Sequence, residues 1–215
     1  MLLIDRVITK QQQAELQKYR QVALVRSRNP LARHAEFLFH MFKATLEMKP
    51  KKDFVEVSDL FNNGFFTNVA LLDFLKPAPI SSALVGRPNW ATYLVMESKS
   101  FNDSLSQILD KYSVYLKVEL IEMIERMLDK NFYRTVAALQ DEVASGLRSG
   151  ITQPYPGFIN LTEHVVEPHV WSFQDLVQYF NNQVDEEHKV NLVGQTWRND
   201  VAPIIGSARA PAPAA

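Results

Sequence analysis

The sequence predicts an all-α protein, an irregular helical bundle around one long central helix at about residues 101–130. Three observations carry that expectation. Apolar residues recur at three- and four-residue spacing along most of the chain, whereas the alternation expected of strands is scarce. Capping patterns of the S/T-x-x-D/Q kind mark helix starts at Thr9 with Gln12, Ser100 with Asp103 and Ser172 with Asp175. From Ser100 to Asn131 there is neither Gly nor Pro. At 1.5 Å per residue that run would make about 45 Å of helix.

Taken in order, Thr9 opens a helix through about Arg26, with Leu16, Tyr19, Ala23 and Val22 on its apolar side. Asn29-Pro30 reads as a second start, because Pro at the first helical position forgoes no needed hydrogen bond. Leu31, Ala35, Leu38, Phe39, Phe42 and Leu46 then form an amphipathic stripe that ends near Lys49-Pro50. Residues 54–76 read as two short helices around Asn62-Asn63-Gly64, followed by a break at Pro77-Ala78-Pro79. Trp90 to Met96 is apolar and fits either helix or strand.

In the central element the first apolar stripe is Leu105, Ile108, Leu109, Tyr112, Tyr115 and Leu116; the second is Leu120, Ile121, Ile124, Met127 and Leu128. The second is rotated about the axis relative to the first, which suits a helix touching different neighbours at its two ends rather than a coiled-coil seam. Phe132 to Leu147 is a further helix, with Gly146 and Gly150 as stop signals. The turn-rich segment 153–158 follows, then a helix from Phe173 to Asn182 and a weaker one from Glu187 to Asn199. Residues 1–205 are expected to form one domain, with the basic helix pair 9–49 as a subregion and residues 206–215 as an Ala/Pro-rich tail.

Composition excludes more chemistry than it suggests. The 215 residues include no cysteine, so disulfides, thiolate metal sites and thiol nucleophiles are all ruled out. With 47% hydrophobic residues and a formal net charge of −1, the chain is not of the disordered class. There is no G-x-G, no Gly-Lys-Ser/Thr, no H-E-x-x-H and no G-x-S-x-G. No cofactor or metal is expected. His164, Glu167 and His169 come nearest to a ligand cluster, but Pro168 interrupts their spacing. His34 and His40 are six apart and point away from each other on a helix. A buried polar pocket holding His34, His164 or His169 would favour an enzyme with a site assembled from distant residues. Glu119, Glu122, Glu125 and Asp129 read as a solvated helix face opposite the apolar stripe.

The near-zero net charge is a cancellation. Residues 1–53 carry 11 Lys and Arg against 5 Asp and Glu, a net of +6, and the other 162 carry 12 against 19, a net of −7. Such segregation suits docking on an acidic surface, of another protein or of a second copy. The basic patch comprises Lys18, Arg20, Arg26, Arg28, Arg33, Lys51 and Lys52, and an aromatic loop with Tyr155 and Phe158 is a second contact candidate. Residues 58–75 mimic a helix–turn–helix, yet the would-be reading segment Thr67–Leu75 contains no Lys or Arg.

The expectation is therefore a non-catalytic interaction or assembly subunit of a larger complex, cytoplasmic or, in a viral or phage setting, part of a virion. A nucleic-acid-binding accessory protein using the basic N-terminal region is the alternative. There is no signal-peptide pattern and no run of apolar residues long enough to span a bilayer. Phe54, Phe61, Phe65, Phe66 and Phe74 read as core aromatics, with a partner interface as the other reading.

Overall fold

A computed structural model of the chain describes residues 2–46, 54, 56–79, 87–129 and 131–192, with backbone alone for residues 2–11. The all-α class holds: seven α-helices and no strand occur among the described residues. They are α1 (Leu2–Ala44), α2 (Val57–Leu60), α3 (Asn63–Val69), α4 (Trp90–Tyr112), α5 (Val118–Asp129), α6 (Phe132–Arg148) and α7 (Glu167–Asn181). Lys49, Lys51, Lys52, Trp197 and the tail 206–215 lie outside the described residues.

The two expected N-terminal helices are one. α1 runs through Asn29 with Pro30 inside it. Proline removes one donor from the ladder, which disfavours helix locally. Packing overrides that penalty, because Ala23, Leu24 and Ser27 before Pro30 lie on the same buried face as Leu31, His34, Leu38 and Met41 after it. Thr9 is consequently an interior residue, not a cap.

The expected central helix is two. α4 starts ten residues before Ser100, where the Asn89 side chain accepts from the Thr92 amide at 2.9 Å, so the ambiguous segment 90–96 is its first two turns. α4 ends at Tyr112; a 3-10 turn at Ser113–Tyr115 and the extended Leu116 follow before α5. No Gly or Pro forces this break. The rotated apolar stripe explains it: a bend lets Leu105 and Ile108 of α4 and Leu120, Ile124 and Met127 of α5 all reach the core. α4 packs against α1, α5 and α6, and α5 against α7, so the central position belongs to α4.

α6 has the expected extent and buries Val136, Leu139 and Val143. Gly146 lies inside it, and Gly150, at φ +79°, is the stop that requires a glycine conformation. α7 starts at Glu167, with Pro168 in its first turn and a π-turn at Thr162–Val166 before it, so Ser172 is interior rather than a cap. Leu176, Val177 and Phe180 face inward as expected. Of the weaker helix at 187–199, only a 3-10 turn at Glu186–His188 lies among the described residues.

The phenylalanines near α2 and α3 are core. Phe61, Phe65, Phe66 and Phe74 are buried, and Phe54 is partly buried against Phe39 and Phe42. The resemblance to a helix–turn–helix fails as well, since α3 ends at Val69 and buries Phe65, Phe66 and Val69. The loop at 153–158 belongs to the same core. The Asp73 carboxylate accepts from the Leu75 and Tyr155 amides, and the Phe74 amide donates to the Tyr155 carbonyl at 2.9 Å. Gly157 lies so close to the Phe74 ring that a Cβ there would come within 2.6 Å of it.

Candidate functional site

Two places in the molecule depart from an ordinary packed bundle. The first is the N-terminal half of α1. Residues 12–19 are all exposed, where a helix in a bundle would bury one stripe. Leu16, Tyr19, Val22 and Val25 are 51, 52, 44 and 41% exposed, so this stretch presents apolar groups to solvent. The helix meets the body at Tyr19 and Arg20. Tyr19 stacks on Tyr115 of the 3-10 turn at 5.0 Å between ring centroids, and Arg20 Nη2 donates to Gln183 Oε1 at 2.8 Å. The exposed residues 12–18 form an arm of about 10 Å at the usual helical rise, and the helix backbone continues from it to Leu2.

Around the stack the apolar surface continues, with Val114 and Val118 at 78 and 60% exposed. From Val118, successive turns of α5 present Glu122, Glu125 and Asp129, all exposed. The acidic stripe thus begins where the apolar patch ends. Of the expected basic residues, Lys18 and Arg26 are exposed, and Arg20 and Arg28 are half-buried. Arg33 lies away from the arm. Its Nε and Nη2 donate to both oxygens of Glu97 at 2.9 and 2.8 Å, a bidentate pair that raises the guanidinium pKa and anchors α1 on α4. Lys18 and Arg20 lie at the root of the arm, Arg26 two turns beyond them, and Arg33, a further seven residues on and still exposed, is paired with Glu97. Tyr155 is half-buried, and burial together with the neighbouring Glu142 pushes its hydroxyl pKa up to about 12. Phe158 is wholly buried against Phe74 and Phe132, which leaves it no surface to offer a partner.

The second place is a buried histidine pair that sequence spacing did not reveal. His34 of α1 and His169 of α7 are 135 positions apart, and their Nε2 atoms are 2.8 Å apart. Phe101 of α4 stacks on the His34 ring at 3.8 Å between centroids, and Phe132 of α6 stacks on His169 at 4.2 Å. Phe173 meets His34 edge-on. With both rings neutral, one Nε2–H donates to the other ring's bare Nε2, so the two imidazoles hold complementary tautomers. Burial, reinforced by His169, holds the His34 pKa well below the usual histidine value. His40, further along α1, is pushed down to about 4 by burial and by Lys43. His164 is exposed and takes no part in the pair, which His169 makes with His34 instead. Among the described residues no three His, Asp or Glu side chains are grouped as a metal site would require.

A cleft of about 190 Å³ is lined by His34 with Asn29, Pro30, Arg33, Glu97, Ser100, Phe101 and Ser104, so the polar pocket on His34 that would favour a site assembled from distant residues is present. Its polar groups are largely engaged with one another: Arg33 binds Glu97, and the Ser104 hydroxyl donates to the Ser100 carbonyl at 2.7 Å. The volume is below the roughly 300 Å³ at which small-molecule pockets begin. Among the described residues no helix is long and apolar enough to cross a membrane. Compared with family models, with curated proteins and with solved structures, the chain finds no match.

Proposed function

We propose that the protein is a non-catalytic helical subunit that works by binding another protein, with the N-terminal half of α1 as its binding arm. The observation that carries this reading is the exposure of residues 12–19 together with the apolar Leu16, Tyr19, Val22, Val114 and Val118 around the arm's root. An isolated helix of this length is marginal in water and gains its stability by covering an apolar face. A patch of exposed large apolar side chains rimmed by charge is the usual composition of a protein-binding surface. The setting in this reading is the cytoplasm or a virion.

The mutual engagement of the cleft's polar groups, and the apolar walls around the histidine pair, support a structural role for that region rather than turnover. A photo-crosslinking residue in place of Val22, activated in the producing cell, tests the reading. Adducts with polypeptide are expected; adducts with nucleic acid alone, or none, would overturn it. The exposed Lys18 and Arg26 favour nucleic-acid binding as a second reading. Mobility shift across a salt series decides that alternative: no shift even at low salt removes it.

A further inference from the structure

We infer that the groove between the end of α6 and residues 151–155 binds a small molecule with an apolar body and a cationic amine head, with Gly146 as the opening that admits it. The groove has a volume of about 270 Å³, close to the roughly 300 Å³ at which small-molecule pockets begin. Leu75, Val143, Leu147, Ile151 and Tyr155 give it walls that are mostly carbon. Leu147 and Ile151 are 45 and 54% exposed, so large apolar groups stand uncovered at its lip. Both walls are held in place. On one side the Asp73 carboxylate accepts from the Leu75 and Tyr155 amides. On the other the Ile151 amide donates to the Gly146 carbonyl at 3.0 Å, which turns the chain back over the end of α6.

Two observations name the occupant. The first is Gly146, since a glycine within a helix destabilises it relative to alanine. Neither backbone nor packing requires one here. The residue is helical, and a Cβ there would lie 3.7 Å from Ile151 Cδ1, an ordinary contact. Gly157 is the contrast, because its Cβ would collide with the Phe74 ring. Gly146 lines the groove, so what its missing side chain leaves open is the groove itself. The second observation is charge. Of the groove's lining residues Glu142 alone is charged, and it is exposed. Tyr155 adds no second anion, because burial and Glu142 keep its phenol protonated. One carboxylate beside an apolar trough suits an ammonium head on an apolar body and repels an anionic head.

Amide NMR of the full-length chain titrated with phenethylamine, phenethyl alcohol and phenylacetate tests it, because the three share a ring and differ in the head. The amine should move the Gly146, Leu147 and Ile151 amide resonances and bind about fivefold more tightly than the alcohol, with phenylacetate weaker still. In Glu142→Gln the amine should bind no better than the alcohol. Gly146→Leu should abolish binding of both. Gly146→Ala should weaken binding while raising the melting temperature, so that the loss cannot be put down to a damaged fold. Four results would each overturn the site: no movement of these resonances in the wild-type chain, an amine preference that survives Glu142→Gln, unchanged binding in Gly146→Leu, or a lower melting temperature in Gly146→Ala, which would show that the fold itself needs the glycine. The groove is separate from the arm, and crosslinking through Val22 reports on the protein-binding reading whichever way these titrations fall.

Discussion

The two halves of α1 are one continuous helix in opposite environments. From Ala23 to Phe42 its inner face is sealed, with Leu24, Leu31, Leu38 and Met41 at most 2% exposed and His34 set among aromatic rings. From residue 12 to residue 19 every side chain is exposed. Both halves contain apolar residues at helical spacing, and the backbone does not distinguish them. The difference lies in what the rest of the chain supplies: α3, α4 and α7 pack on the second half, whereas at the root of the first half Tyr19 stacks on Tyr115 of the 3-10 turn and Arg20 bonds to Gln183, just past α7. Apolar periodicity therefore states that a face wants covering, not whether this molecule covers it.

The sharpest way to break the contrast is the same substitution in each half. Leu38→Ala should lower the unfolding free energy by about 3–4 kcal/mol, since it opens a cavity in a sealed core. Denaturant unfolding measures it, and a loss below about 1 kcal/mol would mean the second half is looser than described. Protonation is the next largest lever. His34 is held neutral in the fold, so its pKa lies below that of the unfolded chain. The stability it contributes is whole above about pH 6.5 and is lost as pH falls below that value, because the unfolded chain takes up the proton first. His40, at about 4 in the fold, adds loss of the same sign between about pH 6.5 and 4. Each such proton gives a slope of up to about 1.4 kcal/mol per pH unit. In His34→Phe the slope should shrink between pH 6.5 and 5; an unchanged slope would show that the pair does not resist protonation.

Pro30 sits within the sealed half, close to where the two halves join. Pro30→Ala restores a donor to the Arg26 carbonyl and should raise stability by about 1 kcal/mol, read as a higher melting temperature. Lower stability would mean that the proline ring's own contacts outweigh the missing bond. The smallest effect belongs to the arm: Leu16→Ala should change the unfolding free energy by less than about 0.5 kcal/mol at a concentration where the chain is monomeric. A larger loss there would show that the arm is covered within its own molecule.

Much of the fold was legible in the chain. The helical class, α6, the inner face of α7 and the burial of the phenylalanines all follow from local spacing, because a helix that must hide one face writes that face every three or four residues. The errors share a cause. Pro30 looked like a start and the stretch through residues 113–117 looked continuous, since local rules weigh one residue's backbone preference. The folded chain weighs that preference against the apolar area buried on both sides. The rotated stripe in 101–130 did carry the signal of a break, because two stripes that face different directions meet one core only if the axis bends between them.

The candidate surface was partly legible and the histidine pair was not. Segregated charge along the chain pointed to the arm through Lys18, although it could not tell that Arg33 is bound to Glu97 or that Phe158 is core. His34 and His169 carry no motif, because their meeting depends on how α1 and α7 are set against α4 and α6, and no spacing records a distance across 135 positions. By itself the sequence determined which segments are helical and which faces seek cover, since both are consequences of neighbours within one or two turns. Tertiary structure alone decided which of those faces is covered, which is left exposed, and which polar groups meet in the core. Those outcomes depend on the summed packing of the helices, a property of their arrangement that no single segment contains.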